Sequence, residues 1–321
     1  MEYLTMETDA SMIRTLKGHS DRISAVSFCC DGKRAISGSW DNILILWDVE
    51  TGEAIRTFKG HLDKVHTVDV NSDGKRALSG AGDGKIILWD VETGEAIRTF
   101  EGYLGWVWAV SLSIDGKLAM CGAFNKSLSL WDVESGKQIR TFSGHTRDVW
   151  AVRFTTDGKQ AISASEDTTL ILWDVQTGEI IRAFKGHSEK VRGLSISSDG
   201  KLAVSGSWDN TLILWDVETG NVMRTFKGHS DKVEAVCMNK DSKFAISGSW
   251  DKTLKLWNIE TGEAIHTFNG HSAEVCAVSL HSNSRRAISA SADKTLILWN
   301  LEPFLNQQGS ANASQAVPEK P

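Results

Sequence analysis

A histidine, a serine and an aspartate recur together along this 321-residue chain, always in that order and at the same spacing. The first set is His19, Ser37 and Asp41, with Trp47 six residues past the aspartate. The others are His61, Ser79, Asp83 and Trp89; His145, Ser163, Asp167 and Trp173; His187, Ser205, Asp209 and Trp215; His229, Ser247, Asp251 and Trp257; and His271, Ser289, Asp293 and Trp299. These are the residue types of a hydrolase triad, in which histidine takes the serine proton and a carboxylate orients the histidine. Hydrolysis needs one such set in one cleft, whereas these repeat in a constant step of 42 residues. Repetition points instead to a construction rule, a buried hydrogen-bond relay. A polar group shut away from water needs a partner, and a fully satisfied network specifies one geometry. The histidines are poor zinc ligands, because they stand on separate repeats without HxH or HxxxH spacing. No catalytic residue, metal or cofactor is expected.

Like relays demand like pieces of backbone to hold them. Gly-His occurs at 18, 60, 144, 186, 228 and 270, and Gly-Tyr at 102 fills the gap in the step. Trp-Asp or Trp-Asn stands at 47, 89, 131, 173, 215, 257 and 299. A fixed period of this size with these dipeptides marks four-stranded blades stacked in a ring. Within one copy, "AVSFCCDGKRAISGSWDNILILWDVETGEAIRTF" gives four short runs rich in β-branched and aromatic residues, separated by turn residues. Asp31-Gly32 suits the hairpin between the first and second strands, and Thr51-Gly52-Glu53 the one between the third and fourth. Ile55 and Thr57 alternating with Arg56 and Phe58 predict an outer strand with two unlike faces.

Seven copies in register over residues 11–302 resemble the WD-repeat β-propeller family. The resemblance implies an all-β, seven-bladed propeller of four-stranded antiparallel blades, and a relay that fixes the connections within and between blades. "MIRTLKGH" at 12–19 matches the outer-strand text "AIRTFKGH", while the last copy stops at "LWNLEP". The N-terminal strand is therefore expected to complete the last blade and remove the open edges. Residues 1–10 read as an N-terminal extension, and residues 303–321, which hold all three prolines, as a tail that does not fold.

Bulk properties exclude several function classes. Net charge −6 argues against nucleic acid or an anionic membrane as the main partner. No run approaches the roughly 18 apolar residues of a membrane span. The five cysteines lack CxxC spacing and read as reduced thiols of a cytoplasmic protein.

The third copy breaks the rule coherently: Tyr103, Cys121 and Asn125 replace histidine, serine and aspartate, and only Trp131 remains. Joint loss of donors and acceptors predicts an apolar packing solution there.

In a meander, the hairpins within each blade lie at two opposite ends of the ring. One end is monotonous, with Asp-Gly and Thr-Gly or Ser-Gly turns, and reads as scaffold. The other varies at three positions. Before the relay aspartate stand Trp40, Gly82, Phe124, Glu166, Trp208, Trp250 and Ala292. Three residues past the histidine stand Arg22, Lys64, Trp106, Asp148, Lys190, Lys232 and Glu274, and two further on Ser24, His66, Trp108, Trp150, Arg192, Glu234 and Cys276. The family resemblance implies that these top-face positions hold partners.

Two sub-patches are expected there: an aromatic cluster of Trp106, Trp108, Phe124 and Trp150, and the basic-aromatic pairs Arg22–Trp40, Lys190–Trp208 and Lys232–Trp250. An alternative is that these tryptophans merely stack under the cations. Six of the thirteen tryptophans lie outside the Trp-Asp positions, and an aromatic core with a charged rim is the composition of a binding hot spot. The leading expectation is a non-catalytic scaffold that binds a protein or peptide partner, with Arg22, Lys190, Arg192 and Lys232 steering acidic or phosphorylated stretches. A propeller that stacks single-stranded nucleic acid on its basic and aromatic rim is the alternative, and a propeller hydrolase ranks below it. His66 and His281 read as surface residues. The uniformity of the copies resembles prokaryotic WD-repeat proteins and suggests a sensor or assembly subunit of a signalling or defence complex.

Overall fold

The computed structural model describes residues 9–101 and 105–305. The expectation for Tyr103, and those for residues 1–8 and 306–321, lie outside the described residues. Residues 303–305, expected to belong to an unfolded tail, instead lie in the short helix Glu302–Leu305, where Phe304 stacks on His266 and packs against the core.

Seven antiparallel sheets of four strands each make a seven-bladed β-propeller. In blade one the strands run, from inner to outer, Ile23–Phe28, Arg34–Ser39, Ile43–Asp48 and Ala54–Lys59. The second and third strands are buried almost throughout, because both their faces are covered by neighbouring blades. Between blades one and two, Leu44, Leu46 and Phe58 pack against Val65, Val68, Ala77, Ile87 and Trp89. This interleaving of apolar side chains is the source of stability in a ring whose units cannot bury their faces alone.

The chain closes as expected. Met12–Lys17 pairs antiparallel with Thr295–Asn300 as the outer strand of blade seven, and Leu16 on it is fully buried.

The outer strands depart from simple alternation. In blade one the pairing slips between Leu46 and Trp47, so Ile55 has no partner residue opposite it. This bulge turns Ile55 outward, 47% exposed, and leaves Phe58 as the strand's buried anchor. Ile55, Arg56 and Thr57 are all exposed and Phe58 alone is buried, so the strand does not show by burial the two alternating faces expected of it.

The monotonous end has a clasp that the repeats conceal. Gly52 takes φ +79°, and a Cβ there would lie 2.6 Å from the Arg14 side chain. The absence of a side chain lets Arg14 cross the turn and donate to the Thr51 carbonyl at 2.9 Å. Arg56 does the same to Thr93 and Arg224 to Thr261, so each of these arginines ties its outer strand to the next turn along the ring.

Candidate partner interface

The relay residues meet as a chain of short hydrogen bonds. The Trp47 indole donates to Ser37 Oγ at 2.8 Å, Ser37 lies 2.7 Å from His19 Nε2, and His19 Nδ1 lies 2.9 Å from Asp41. Because indole can only donate and carboxylate only accept, the serine hydroxyl donates to Nε2 and the imidazole carries its proton on Nδ1. The same contacts recur around His61, His145, His187, His229 and His271, each with its serine at 2.7 Å. The connectivity is that of a hydrolytic triad, but Ser37, Ser79, Ser163, Ser205, Ser247 and Ser289 are 0% exposed. No substrate carbonyl can reach them, so the arrangement is structural.

Burial pushes the relay carboxyls up, yet hydrogen bonds from the histidines and from neighbouring backbone N–H groups outweigh it. Asp83, Asp167, Asp209, Asp251 and Asp293 are all held below the ordinary carboxylate range. A depressed folded-state value means stability that is present above the unfolded value, about 3.9, and lost as pH falls through the folded one. The buried imidazoles of His19 and His66 are held down as well, so the thermal unfolding midpoint is expected to begin falling below about pH 6.5, the unfolded histidine value, and to drop more steeply below about pH 4. A midpoint that holds level to about pH 2 would contradict this role for the aspartates.

Blade three solves the loss of its relay differently from the expectation. Cys121 is fully buried in an apolar cluster with Val110, Leu112 and Trp131. The packing is not wholly apolar, however, because the Trp131 indole donates to Ser129 Oγ at 2.9 Å. Ser129 occupies a third-strand position that holds Ile45 in blade one and Ile213 in blade five. Asn125 turns to the Ser127 N–H and hydroxyl instead of a histidine.

At the variable end, two backbone features aim the side chains. The inner strand of every blade slips register at its start, and the residue skipped is Ser24, His66, Trp108, Trp150, Arg192, Glu234 or Cys276. Such a bulge redirects a side chain, here to the mouth of the central channel. In addition, the Trp40 N–H donates to the Arg22 carbonyl at 2.9 Å, and the equivalent bond forms in all seven blades. It locks the other two variable positions side by side.

The side chains so placed form one closed ring rather than two sub-patches. Trp40 meets His66 edge-on at 6.5 Å, His66 lies 4.3 Å from Trp108, and Trp108 lies 4.0 Å from Trp150. The Arg192 guanidinium sits 3.7 Å over Trp150 and 5.7 Å from Trp208, which lies 5.5 Å from Trp250. Arg22, 6.0 Å from Trp250 and 5.1 Å from Trp40, completes the circuit. The expected pairs form, with Lys190 at 4.9 Å from Trp208 and Lys232 at 4.0 Å from Trp250. Trp40 and Trp208 each also take a cation from the next blade: Lys64 lies 4.1 Å from Trp40 and Lys232 4.3 Å from Trp208. His66 is not the surface residue it seemed; burial first, and Arg192 second, push its imidazole down to about 4. His281 is likewise packed, edge-on to Phe28 and against Gly32.

The aromatic cluster therefore divides. Trp108 and Trp150 belong to the ring, while Trp106 and Phe124, 5.8 Å apart, stand proud of it at 50% and 56% exposure. Asp148 beside them is buried, and burial, followed by the Glu166 charge, pushes its carboxyl up.

Two of the four steering cations are already occupied. Lys190 lies 2.7 Å from Glu166, and Arg192 is held by the buried Glu234 through Nε at 3.0 Å and through Nη2. Burial raises the Glu234 carboxyl, but Arg192 more than offsets this and keeps it ionised. Glu234 also accepts from the Trp208 indole at 3.0 Å. No role for Glu234 had been assigned; the signal was its place one repeat after Arg192, where opposite charges in equivalent positions meet across a blade boundary.

Comparison with known proteins agrees with this architecture. The family described as "WD domain, G-beta repeat" matches residues 10–48, 52–90, 94–132, 136–174, 178–216, 220–258 and 262–300. Among curated proteins, "Small ribosomal subunit protein RACK1" of Candida albicans is 50% identical over 40 residues, covering 12% of this chain and 13% of that protein. The protein of the same name from Dictyostelium discoideum is 54% identical over 39 residues, covering 12% of each chain. That from Saccharomyces cerevisiae is 49% identical over 41 residues, or 13% of each. These matches span about an eighth of the relatives' length, the size of one repeat. Among the described residues no helix is long and apolar enough to cross a membrane, and no group of three or more His, Cys, Asp or Glu could hold a metal.

Proposed function

The chain belongs to the WD-repeat family, and from that premise we propose that it is a non-catalytic scaffold whose top face binds a protein or peptide partner. The observation that carries this reading is the pair Trp106 and Phe124, large aromatics exposed beside a ring of charged and aromatic side chains. Exposed aromatic surface next to a polar rim is costly in water and is what partners cover. Trp40, Trp108, Trp150, Trp208 and Trp250 supply the floor, and Arg22, Lys64, His66, Lys190, Arg192 and Lys232 the polar groups of the site. The role this supports is an assembly or sensor subunit of a cytoplasmic signalling or defence complex. The short likeness to ribosomal-subunit proteins agrees with a scaffold of larger assemblies.

The nucleic-acid reading is weaker. Lys190 and Arg192 are neutralised by Glu166 and Glu234, and the ring aromatics stack on one another instead of standing open for bases. The hydrolase reading loses its nucleophiles to burial.

The test is a double substitution, Trp106→Ala with Phe124→Ala, both outside the ring. Capture of partners from the native cell is expected to fall by about 30-fold or more, the effect of removing a hot spot, with the unfolding midpoint unchanged. Recovery of the same partners in the same yield would refute the reading.

A further inference from the structure

Part of the ring is a repeating contact. At three of the seven blade boundaries the residue before the relay aspartate in one blade faces a cation three residues past the histidine position in the next. Trp40 thus meets Lys64 at 4.1 Å, Trp208 meets Lys232 at 4.3 Å, and Glu166 meets Lys190 at 2.7 Å. By the same register the residue facing Arg22 is Ala292, which reaches nothing. Blade seven also offers only the small Cys276 where blades two to six carry a histidine, tryptophan, arginine or glutamate.

Arg22 is therefore a half-buried guanidinium whose charge touches Trp40 and Trp250, rings that accept no conventional hydrogen bond. Among the described residues no oxygen accepts from its side chain, and Glu274 of blade seven forms no ion pair with it. The group lines a cavity of about 160 Å³ at the channel mouth, together with Trp40, Trp150, Arg192, Glu234 and Cys276. Arg192 in that wall is paired directly with Glu234, whereas Arg22 forms no ion pair among the described residues and shares only the longer-range field of Glu234.

We propose that Arg22 is the receptor for a carboxylate side chain of the partner peptide, seated in the channel mouth over Ala292 and Cys276. This rests on the reading of the top face as a peptide-binding surface. A guanidinium offers a planar fork that matches a carboxylate in two parallel hydrogen bonds. With Arg22 and Arg192 set against the ionised Glu234, the wall carries one net positive charge, which a single carboxylate balances and a phosphate dianion would exceed. The partner would place Asp or Glu on Arg22 and an apolar side chain on Trp106 and Phe124.

The probe is the end-blocked pentapeptide Gly-Leu-Glu-Leu-Gly, titrated against the full chain by tryptophan fluorescence, with its glutamine and phosphoserine counterparts. The glutamate peptide should bind about tenfold or more tightly than the glutamine peptide. Arg22→Gln should erase that preference, and Arg22→Lys should reduce it because an ammonium cannot form the fork. Ala292→Glu should erase it as well while leaving Arg22 in place, by pairing with Arg22 as Glu166 pairs with Lys190. Circular dichroism of each variant should match the parent. Equal binding of the glutamate and glutamine peptides, a preference that survives Ala292→Glu, or tighter binding of the phosphoserine peptide would overturn the assignment. In any of these cases, loss of partner capture on Trp106→Ala with Phe124→Ala would still uphold the broader reading.

Discussion

Deletion of residues 1–17 is expected to turn a monodisperse protein into one that aggregates and has lost its cooperative melt. Those residues include the whole of Met12–Lys17, the outer strand of blade seven, and their removal leaves the Thr295–Asn300 strand as an open edge. They also remove Leu16, which is 0% exposed and packs with Ile23, Val26, Trp47, Ile288 and Leu296 at the junction of blades seven and one. Leu16→Ala alone should cost about 2–5 kcal/mol, the usual range for a buried leucine cut back to alanine. Size-exclusion chromatography and thermal unfolding measure both. A truncated chain that keeps the parent's elution position and melting temperature would show that the ring does not depend on its closure. Adding back a peptide of residues 9–18 should partly restore the melt, because only a strand, not the fold's information, was removed.

Ser205→Ala should be the most damaging single-atom change in the relay. Its hydroxyl serves His187 Nε2 and the Trp215 indole, each at 2.7 Å, and both partners are shut away from water. Stranding two buried groups costs about 1–3 kcal/mol each, so a loss of about 2–6 kcal/mol is expected in chemical denaturation. Blade three supplies the internal control. Its Trp131 has Ser129 as an alternative acceptor and its cysteine faces no histidine relay, so among the described residues Cys121→Ala leaves no hydrogen-bonding group without its partner. That variant should lose only the smaller packing contribution of the sulfur, about 1–2 kcal/mol. Equal losses for Ser205→Ala and Cys121→Ala would mean that the relay hydrogen bonds add nothing beyond packing.

The contrast between those two serines illustrates what could be seen in the sequence. His187, Ser205, Asp209 and Trp215 were recognisable as a set because the repeat displays them six times over. Ser129 was not, because it stands in one copy at a position occupied by isoleucine or lysine elsewhere, and an isolated serine in a strand carries no pattern. The arginine clasp at the opposite end was concealed for the reverse reason. Arg14 and Gly52 recur so evenly that neither looks special until the turn is seen to need an empty glycine for the arginine to cross.

At the top face the variable positions were legible, but their mutual contacts were not. Trp108 and Trp150 read as neighbours of Trp106 and Phe124, yet an inner-strand bulge sends the first two into the channel mouth and leaves the others exposed. Nothing local in "GWVWAV" distinguishes one tryptophan from the next, since a bulge is set by how a strand meets its partner.

By itself, the sequence determined the blade count, the strand order, the closure by the N-terminal strand and the membership of each relay. These depend on periodicity and on residue types that repeat, and repetition makes local chemistry readable. Only the tertiary structure decided that the top-face side chains join in one ring, that Glu234 pairs with Arg192, and that Arg22 lies against Trp40 and Trp250 with no ion pair among the described residues. Those outcomes are contacts between different blades, about 42 residues apart or, for Arg22 and Trp250, most of the chain apart. The physical reason is that a charge or an aromatic ring has its effect through what lies within a few ångströms, and in a closed ring that neighbour is chosen by the geometry of closure.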